Sequence, residues 1–502
     1  MARKLLLGYD VGSSAVKASL LDADTGESIA FGFSPQQEMR IDSRQAGWAE
    51  QHPDSWWDHV VKATNKLYPE TLTSNSEIIG IGISYQMHGL VMVGRDLDVL
   101  YPSIIWCDSR AVEIGDKAFS DLGPEYCLGS CLNSPGNFTA SKLKWVEENR
   151  PDIYSKIYKI MLPGDYVAMK LTGEVCTTIS GLSEGVFWDF KEKNLAEELL
   201  RYFCIDRSII PEIVPTFGVQ GRLTSKAANE LGLVPGIPVA YRAGDQPNNA
   251  FSLNVLKPGE TAATAGTSGV IYGITDKSVF DSEGRVNTFA HVNYSNDHPN
   301  KGVLLCINGT GIQYSWLKQN IMDNRYSYEE LNKLAADVGI GAHGLMCYPF
   351  GNGAERSLRN KDVHGHLVGI NFNIHGKEHL IRAVQEGIAF SFRYGLDIMK
   401  SIGMELDTVK VGNSNLFQSK VFREAFVNSC NVDLEILSTD GSQGAARGAG
   451  IGIGYYPSST VDTSAFKGLQ KMGELHPVHE LKEKYGSTYE TWKRTLLEIT
   501  RE

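Results

Sequence analysis

No apolar run in this 502-residue chain approaches the ~18 residues that a membrane-spanning helix needs. Met1-Ala2-Arg3-Lys4 leads straight into an extended apolar segment that Asp10 interrupts, so neither a secretory leader nor a membrane partner is expected. The eight cysteines, at 107, 127, 131, 176, 204, 306, 347 and 430, show no Cys-x-x-Cys spacing. That excludes a zinc or disulfide scaffold and fits buried thiols in a reducing cytoplasm, the expected location. Basic residues do not cluster, and 48 Lys/Arg against 59 Asp/Glu give a net charge of −11, so a nucleic-acid partner is not expected. Pro-rich and Ser-rich tracts are absent, as are Gly-x-x-x-x-Gly-Lys-Ser/Thr and His-Glu-x-x-His. The single Gly-x-Gly-x-x-Gly, Gly339 to Gly344, precedes an apolar strand instead of following one, and reads as a loop.

What remains is a chain with 42% hydrophobic residues, too long for one core, hence two domains. Its clearest signal is Gly8-Tyr9-Asp10-Val11-Gly12-Ser13-Ser14-Ala15-Val16-Lys17, flanked by Leu5–Leu7 and Ala18–Leu21. Two extended runs joined by a Gly/Ser turn make a hairpin, whose N–H groups and hydroxyls suit phosphate oxygens. Asp10 at the strand end is placed to hold Mg2+ through water. The pattern returns in Gly266-Thr267-Ser268-Gly269-Val270, with 254 positions between Gly12 and Gly266. One such turn alone is an ordinary sheet edge. Two, half a chain apart, suggest a duplicated domain gripping one nucleotide.

Other polar groups sit where strands end, which is where open α/β folds place ligands. Ile78–Ser84 runs into Gln86-Met87-His88-Gly89, Ser103–Trp106 into Cys107-Asp108-Ser109-Arg110, and Val239–Tyr241 into Gly244-Asp245-Gln246. Asp245 is placed to accept a hydroxyl proton, although most acids in such turns cap a helix or face solvent. His88 and Met87 taken singly read as core residues. Trp56, Trp57 and Trp106 are candidates to stack a sugar, with plain packing as the alternative. Val303–Ile307 delivers Asn308-Gly309-Thr310-Gly311, and Val409–Val411 delivers Gly412-Asn413. A helix is expected over Leu380–Met399, and a tightly packed one from Gly441. The domains are set at 1–250 and 251–502.

Together these segments resemble the FGGY carbohydrate kinases over nearly the whole chain. Gln86-Met87-His88-Gly89 is similar to the sugar-contact segment of the pentulose kinases, and Ile105 to Arg110 to the strand end beside it. Leu162-Pro163-Gly164-Asp165-Tyr166 and Lys170 to Gly173 strengthen the likeness. The resemblance implies an actin/Hsp70/hexokinase-like (ribonuclease H-like) α/β fold of two domains with a cleft between them. It implies ATP and Mg2+ as cofactors and phosphorylation of D-xylulose at its terminal hydroxyl, with Asp245 as general base. Asp10 would hold the metal through water, with Asp245 a second candidate ligand. Met87, His88, Trp106, Asp245 and Gln246 would contact the sugar. ATP would be held by Gly12, Ser13, Ser14, Lys17, Gly266, Thr267, Ser268, Gly309, Thr310, Gln313, Gly412 and Asn413, with Gly444-Ala445-Ala446 beside the adenosine pocket. A homodimer is among the assemblies it allows. The turn Arg242-Ala243-Gly244-Asp245-Gln246 departs from the Gly-Gly-Gly-Asp-Asn common in xylulose-specific members and is similar to the form in glycerol kinases. Sedoheptulose, ribulose and glycerol therefore stand as alternative acceptors, and a non-enzymatic nucleotide-switched protein as a remote one.

Overall fold

A computed structural model describes residues 2–67, 76–457 and 464–501. The first lobe is built on strands β1 (Arg3–Val11), β2 (Val16–Asp22), β3 (Ser28–Ser34), β4 (Ser76–Tyr85), β5 (Phe217–Arg222) and β6 (Pro238–Gly244). Its helices include α1 (Pro53–Asn65), α2 (Thr139–Asn149), α3 (Pro163–Thr172), α4 (Ile179–Glu184) and α5 (Asp245–Ser252). The second lobe is built on β7 (Glu260–Ala265), β8 (Gly269–Thr275), β9 (Asn287–Ala290), β10 (Lys301–Ile307), β11 (Thr408–Gly412), β12 (Asp433–Ser438) and β13 (Gln470–Leu475). Helices α6 (Gly311–Trp316), α7 (Lys377–Ser401) and α8 (Gly441–Gly452) complete the elements that matter here.

The two sheets repeat one design. In the first, the order β3-β2-β1-β4-β6-β5 is antiparallel, antiparallel, parallel, parallel, antiparallel. In the second, β10-β8-β7-β11-β12-β13 follows the same sequence of senses, with β9 added at the β10 edge. The duplicated hairpins are thus equivalent, each joining the first two strands of its lobe. The parallel strands are apolar on both faces because helices cover both. Trp56 and Val60 of α1 and Val167 of α3 pack with Leu5, Leu7 and Ile83 on the outer face of the first sheet. Val384, Ile388 and Phe392 of α7 do the same with Leu305 and Val411 in the second.

The inner faces meet through exchanged helices. α8, from the second half of the chain, lies on the first sheet, where Ala445, Ala446 and Ala449 join Leu6, Tyr241 and Phe251 in one buried cluster. α5 carries Ala250 into the cluster that holds Ala262, Val270 and Tyr272 of the second sheet. Five glycines in a twelve-residue helix are poor helix formers, but they let backbones touch. A Cβ on Gly8 would lie 1.9 Å from the Ser442 carbonyl oxygen, one on Gly82 1.9 Å from that of Ala445, and one on Gly452 1.8 Å from that of Ala240.

The segments expected from the sequence form in place, with one shortened: the strand expected over Ser103–Trp106 covers Ser103–Ile104 only. Because α8 meets the first sheet backbone to backbone, Gly82→Ala should lower stability by ~1–3 kcal/mol through overpacking. Gly129→Ala, with nothing within 4 Å of the added methyl, should not. Urea midpoints of the two variants test this, and equal midpoints would show that the interface yields.

Candidate active site

The strand ends of the first sheet gather the acids. Asp10 lies opposite Ser84 on β4 and Lys17 on β2. The Ser84 hydroxyl donates to its Oδ1 at 3.0 Å, and Lys17 Nζ is 3.6 Å from its Oδ2. Asp10 raises the Lys17 pKa, helped by Asp440 and Asp245, so this amine stays charged. Gly441, the first residue of α8, closes on the same carboxylate: a Cβ there would fall 2.8 Å from Asp10 Cγ. Asn248 of α5 donates to the Gly441 carbonyl at 2.8 Å.

Asp245 opens α5 immediately after β6, on the same cleft wall. Burial, and then the Asp10 charge, push its pKa up to about 7, against donors on Gln246 that favour the ionised form. A carboxylate tuned to that range can accept a proton at neutral pH. Beside it, Met87 packs against Gly244, where an added Cβ would meet its Cγ at 2.6 Å. His88 is half-buried and left-handed (φ 62°), with Nδ1 2.9 Å from the Glu184 carbonyl. Burial and the Lys142 charge hold it down to about 3, so the ring is neutral and can share a hydrogen with a hydroxyl. Trp106 is half exposed, and its Nε1 donates to Ser13 Oγ at 3.2 Å, tying its loop to the first hairpin.

Both hairpin turns are braced from behind. Gln51 Nε2 donates to the Ser13 carbonyl at 2.7 Å, and Met39 N to that of Ser14 at 2.8 Å. In the second lobe Gly311 N donates to Gly266 O at 2.9 Å and Ile312 N to Thr267 O at 3.0 Å. A cavity of about 780 Å3 opens beside that turn, lined by Gly266, Thr267, Gly311, Tyr328, Asn332 and Asn415 among others.

Several residues expected to touch nucleotide do not line this cavity. Thr310 is buried, with its hydroxyl spent on the Gly266 and Thr267 carbonyls. Gly309 is pressed on Pro349, 1.2 Å from that carbonyl oxygen to a hypothetical Cβ. Gln313 points to Cys347 Sγ at 2.9 Å and borders a separate cavity of about 440 Å3. Gly412 ends β11 and Asn413 follows it just short of the cavity, which takes Ser414 and Asn415 instead. Gly444, Ala445 and Ala446 belong to the interlobe packing, not to an adenosine pocket. Trp56 and Trp57 are core residues whose indoles donate to Gln51 and Glu230. Tyr328, Asn332 and Gln418 also line the cavity, converging from separate elements without a local motif in the sequence. Asn415, two residues beyond Asn413, was within reach.

With that geometry in view, two family models cover the chain. The FGGY carbohydrate kinase N-terminal domain matches residues 5–252, and its C-terminal domain residues 261–452. The chain belongs to the FGGY family of carbohydrate kinases. It is 26% identical over 496 residues to the xylulose kinase of Bacillus subtilis, covering 98% of this chain and 96% of that one. Among solved structures, xylulose kinase from Rhodospirillum rubrum matches with TM-score 0.86 at 23% identity, covering 99% of this chain and 100% of that one. Gluconate kinase from Lactobacillus acidophilus matches at 0.88 and 21%, over 99% and 98%. Kinases named for different substrates thus share this fold equally, and the fold alone does not choose among them. The family makes the protein a sugar kinase with ATP as co-substrate. No helix among the described residues is long and apolar enough to cross a membrane.

The raised pKa of Asp245 has a stability consequence. Its folded value of about 7 lies above the ordinary 3.8, so between pH 4 and 7 the folded state binds more protons than the unfolded one. The wild-type fold therefore loses stability as pH rises through that window. Asp245→Asn removes the effect. Its melting temperature relative to wild type should climb from about pH 4 to about pH 7 and level off above. A difference that does not vary with pH would mean an unperturbed carboxylate.

Proposed function

We propose that this chain phosphorylates D-xylulose at its terminal hydroxyl, with Mg-ATP as donor and Asp245 as general base. The observation that carries the reading is the Asp245 carboxylate, pushed up to about 7, on the same wall as Met87 and His88. Its neighbour on that wall is the first phosphate-type hairpin, whose Asp10 acts on its charge. Asp245 takes the hydroxyl proton as the oxygen attacks the γ-phosphate, and the leaving ADP stays on the second-lobe turn. Ser13, Ser14, Thr267 and Ser268 surround the transferring group, where positioning and charge stabilisation carry phosphoryl transfer. Lys17, kept charged by three acids, adds a cation there.

The donor set suits magnesium held mostly by phosphate and water. Among the described residues no three His, Cys, Asp or Glu side chains converge as a direct metal cage. Asp10, braced by Ser84, offers one carboxylate to a hydrated ion, as hard, water-retaining Mg2+ prefers. When bound, the ion would neutralise charge on the phosphates.

The name of the curated relative, xylulose kinase, and the Gln86-Met87-His88-Gly89 segment support xylulose. Measured by coupled ADP release, D-xylulose should give the highest kcat/KM among D-xylulose, ribulose, sedoheptulose and glycerol, with activity lost on removing Mg2+. A different leading sugar would overturn the substrate while leaving the kinase assignment in place.

The two aspartates should fail differently. Asp245→Asn should cut kcat by about 10²–10⁴-fold with both substrate affinities near normal, as expected for a lost base. Asp10→Asn should produce a defect that eases as Mg2+ is raised. For the wild type, kcat/KM should fall as pH drops below about 7 and Asp245 takes up a proton. Near wild-type turnover by Asp245→Asn would end the general-base assignment.

A further inference from the structure

Behind the sugar-side loops lies a lysine that the proposed chemistry leaves unused. Lys142, in α2, is completely buried. Its Nζ donates to the His88 carbonyl at 3.0 Å and to the Ile105 carbonyl at 2.9 Å. Those two carbonyls belong to different loops, one following β4 and the other following Ser103–Ile104. They are the loops that present Met87 and His88 on one side and Trp106 on the other. No ion pair of Lys142 occurs among the described residues. Asp108, the acid that acts on it most strongly, is engaged by Arg110 and by Ala49 N at 2.6 Å.

We propose that Lys142 is a positioning residue for the acceptor sugar, its amine cross-tying the His88 and Ile105 carbonyls so that both sugar-side loops keep one geometry. The inference rests on the kinase reading above. A buried amine is a poor source of stability, because desolvation offsets most of what its hydrogen bonds return. Burial accordingly lowers its pKa to about 7. An apolar side chain would fill the space with less penalty, but it could not hold two carbonyls at a fixed separation. That separation matters most at His88, whose left-handed backbone is disfavoured for a non-glycine residue and so needs outside support. Lys142 grips its carbonyl while the Glu184 carbonyl pairs with Nδ1 and the Phe138 and Phe289 rings pack on the imidazole, which leaves Nε2 as the ring atom for a ligand. Neutral amine and ammonium both have the two N–H groups the tie requires.

The test is steady-state kinetics of Lys142→Met and Lys142→Ala, each with both substrates varied and a melting temperature recorded. Lys142→Met keeps the length and removes the donors. Its KM for the sugar should rise about tenfold or more, as for lost buried hydrogen bonds, with KM for ATP within about twofold of wild type. Adding methylamine or ethylamine to Lys142→Ala should recover part of the lost sugar affinity, a response that a purely structural lysine would not give. Unchanged sugar kinetics in Lys142→Met would overturn the inference. So would equal losses toward sugar and ATP with a lowered melting temperature and no effect of amines. A wild-type chain that phosphorylates no sugar would defeat the kinase reading itself, and the inference with it.

Discussion

Backbone contact between α8 and the first sheet is the constraint on which the rest of this molecule depends. Gly8 and Gly82 on the sheet, with Gly448 and Gly452 on the helix, leave no room for a single added carbon. The helix therefore sits at one height above the strands. That height brings Gly441 onto the Asp10 carboxylate and Asp440 near enough to Lys17 to act on its charge. Since α8 follows directly from β12 of the other lobe, the same contact ties that lobe to the first sheet. The cleft is a product of small residues before it is a product of polar ones.

Desolvation then supplies the electrostatics. Asp245 rises because it is withdrawn from water next to a second acid. Glu184, more deeply buried and close to both Asp245 and Asp165, is pushed well above the usual carboxylate range. His88 and Lys142 move the other way, toward their neutral forms, for the same physical reason. Around Asp10 the acids instead act on Lys17, which Asp10, Asp440 and Asp245 together keep charged.

The acceptor is set on a smaller scale than the fold. Kinases named for xylulose and for gluconate superpose on this chain almost equally well. A difference of one hydroxyl or one carboxylate in a substrate must then be read by a few side chains at strand ends. In the proposed reading His88 and Trp106, with the loops that carry them, do so.

The two hairpins, the strand-end acids and the paired α/β lobes were legible in the sequence because each follows from a local pattern. Such patterns are alternation of apolar residues, a Gly/Ser turn, or an acid just past a buried strand. The glycine spacing of α8 was legible as close packing, but its partner was not, since nothing local says which sheet a small-residue helix will cover. Gly266 and Thr267 line the second-lobe cavity because the hairpin itself forms its wall. Gly309, Thr310 and Gln313 lie outside its lining, because contacts far away in sequence, Pro349 and Cys347 among them, set where they sit. Sequence by itself determined which residues end up at strand ends. Only the tertiary structure decided which of those ends face one another, because burial, carboxylate pairing and a lysine reaching two loops at once are all properties of distance.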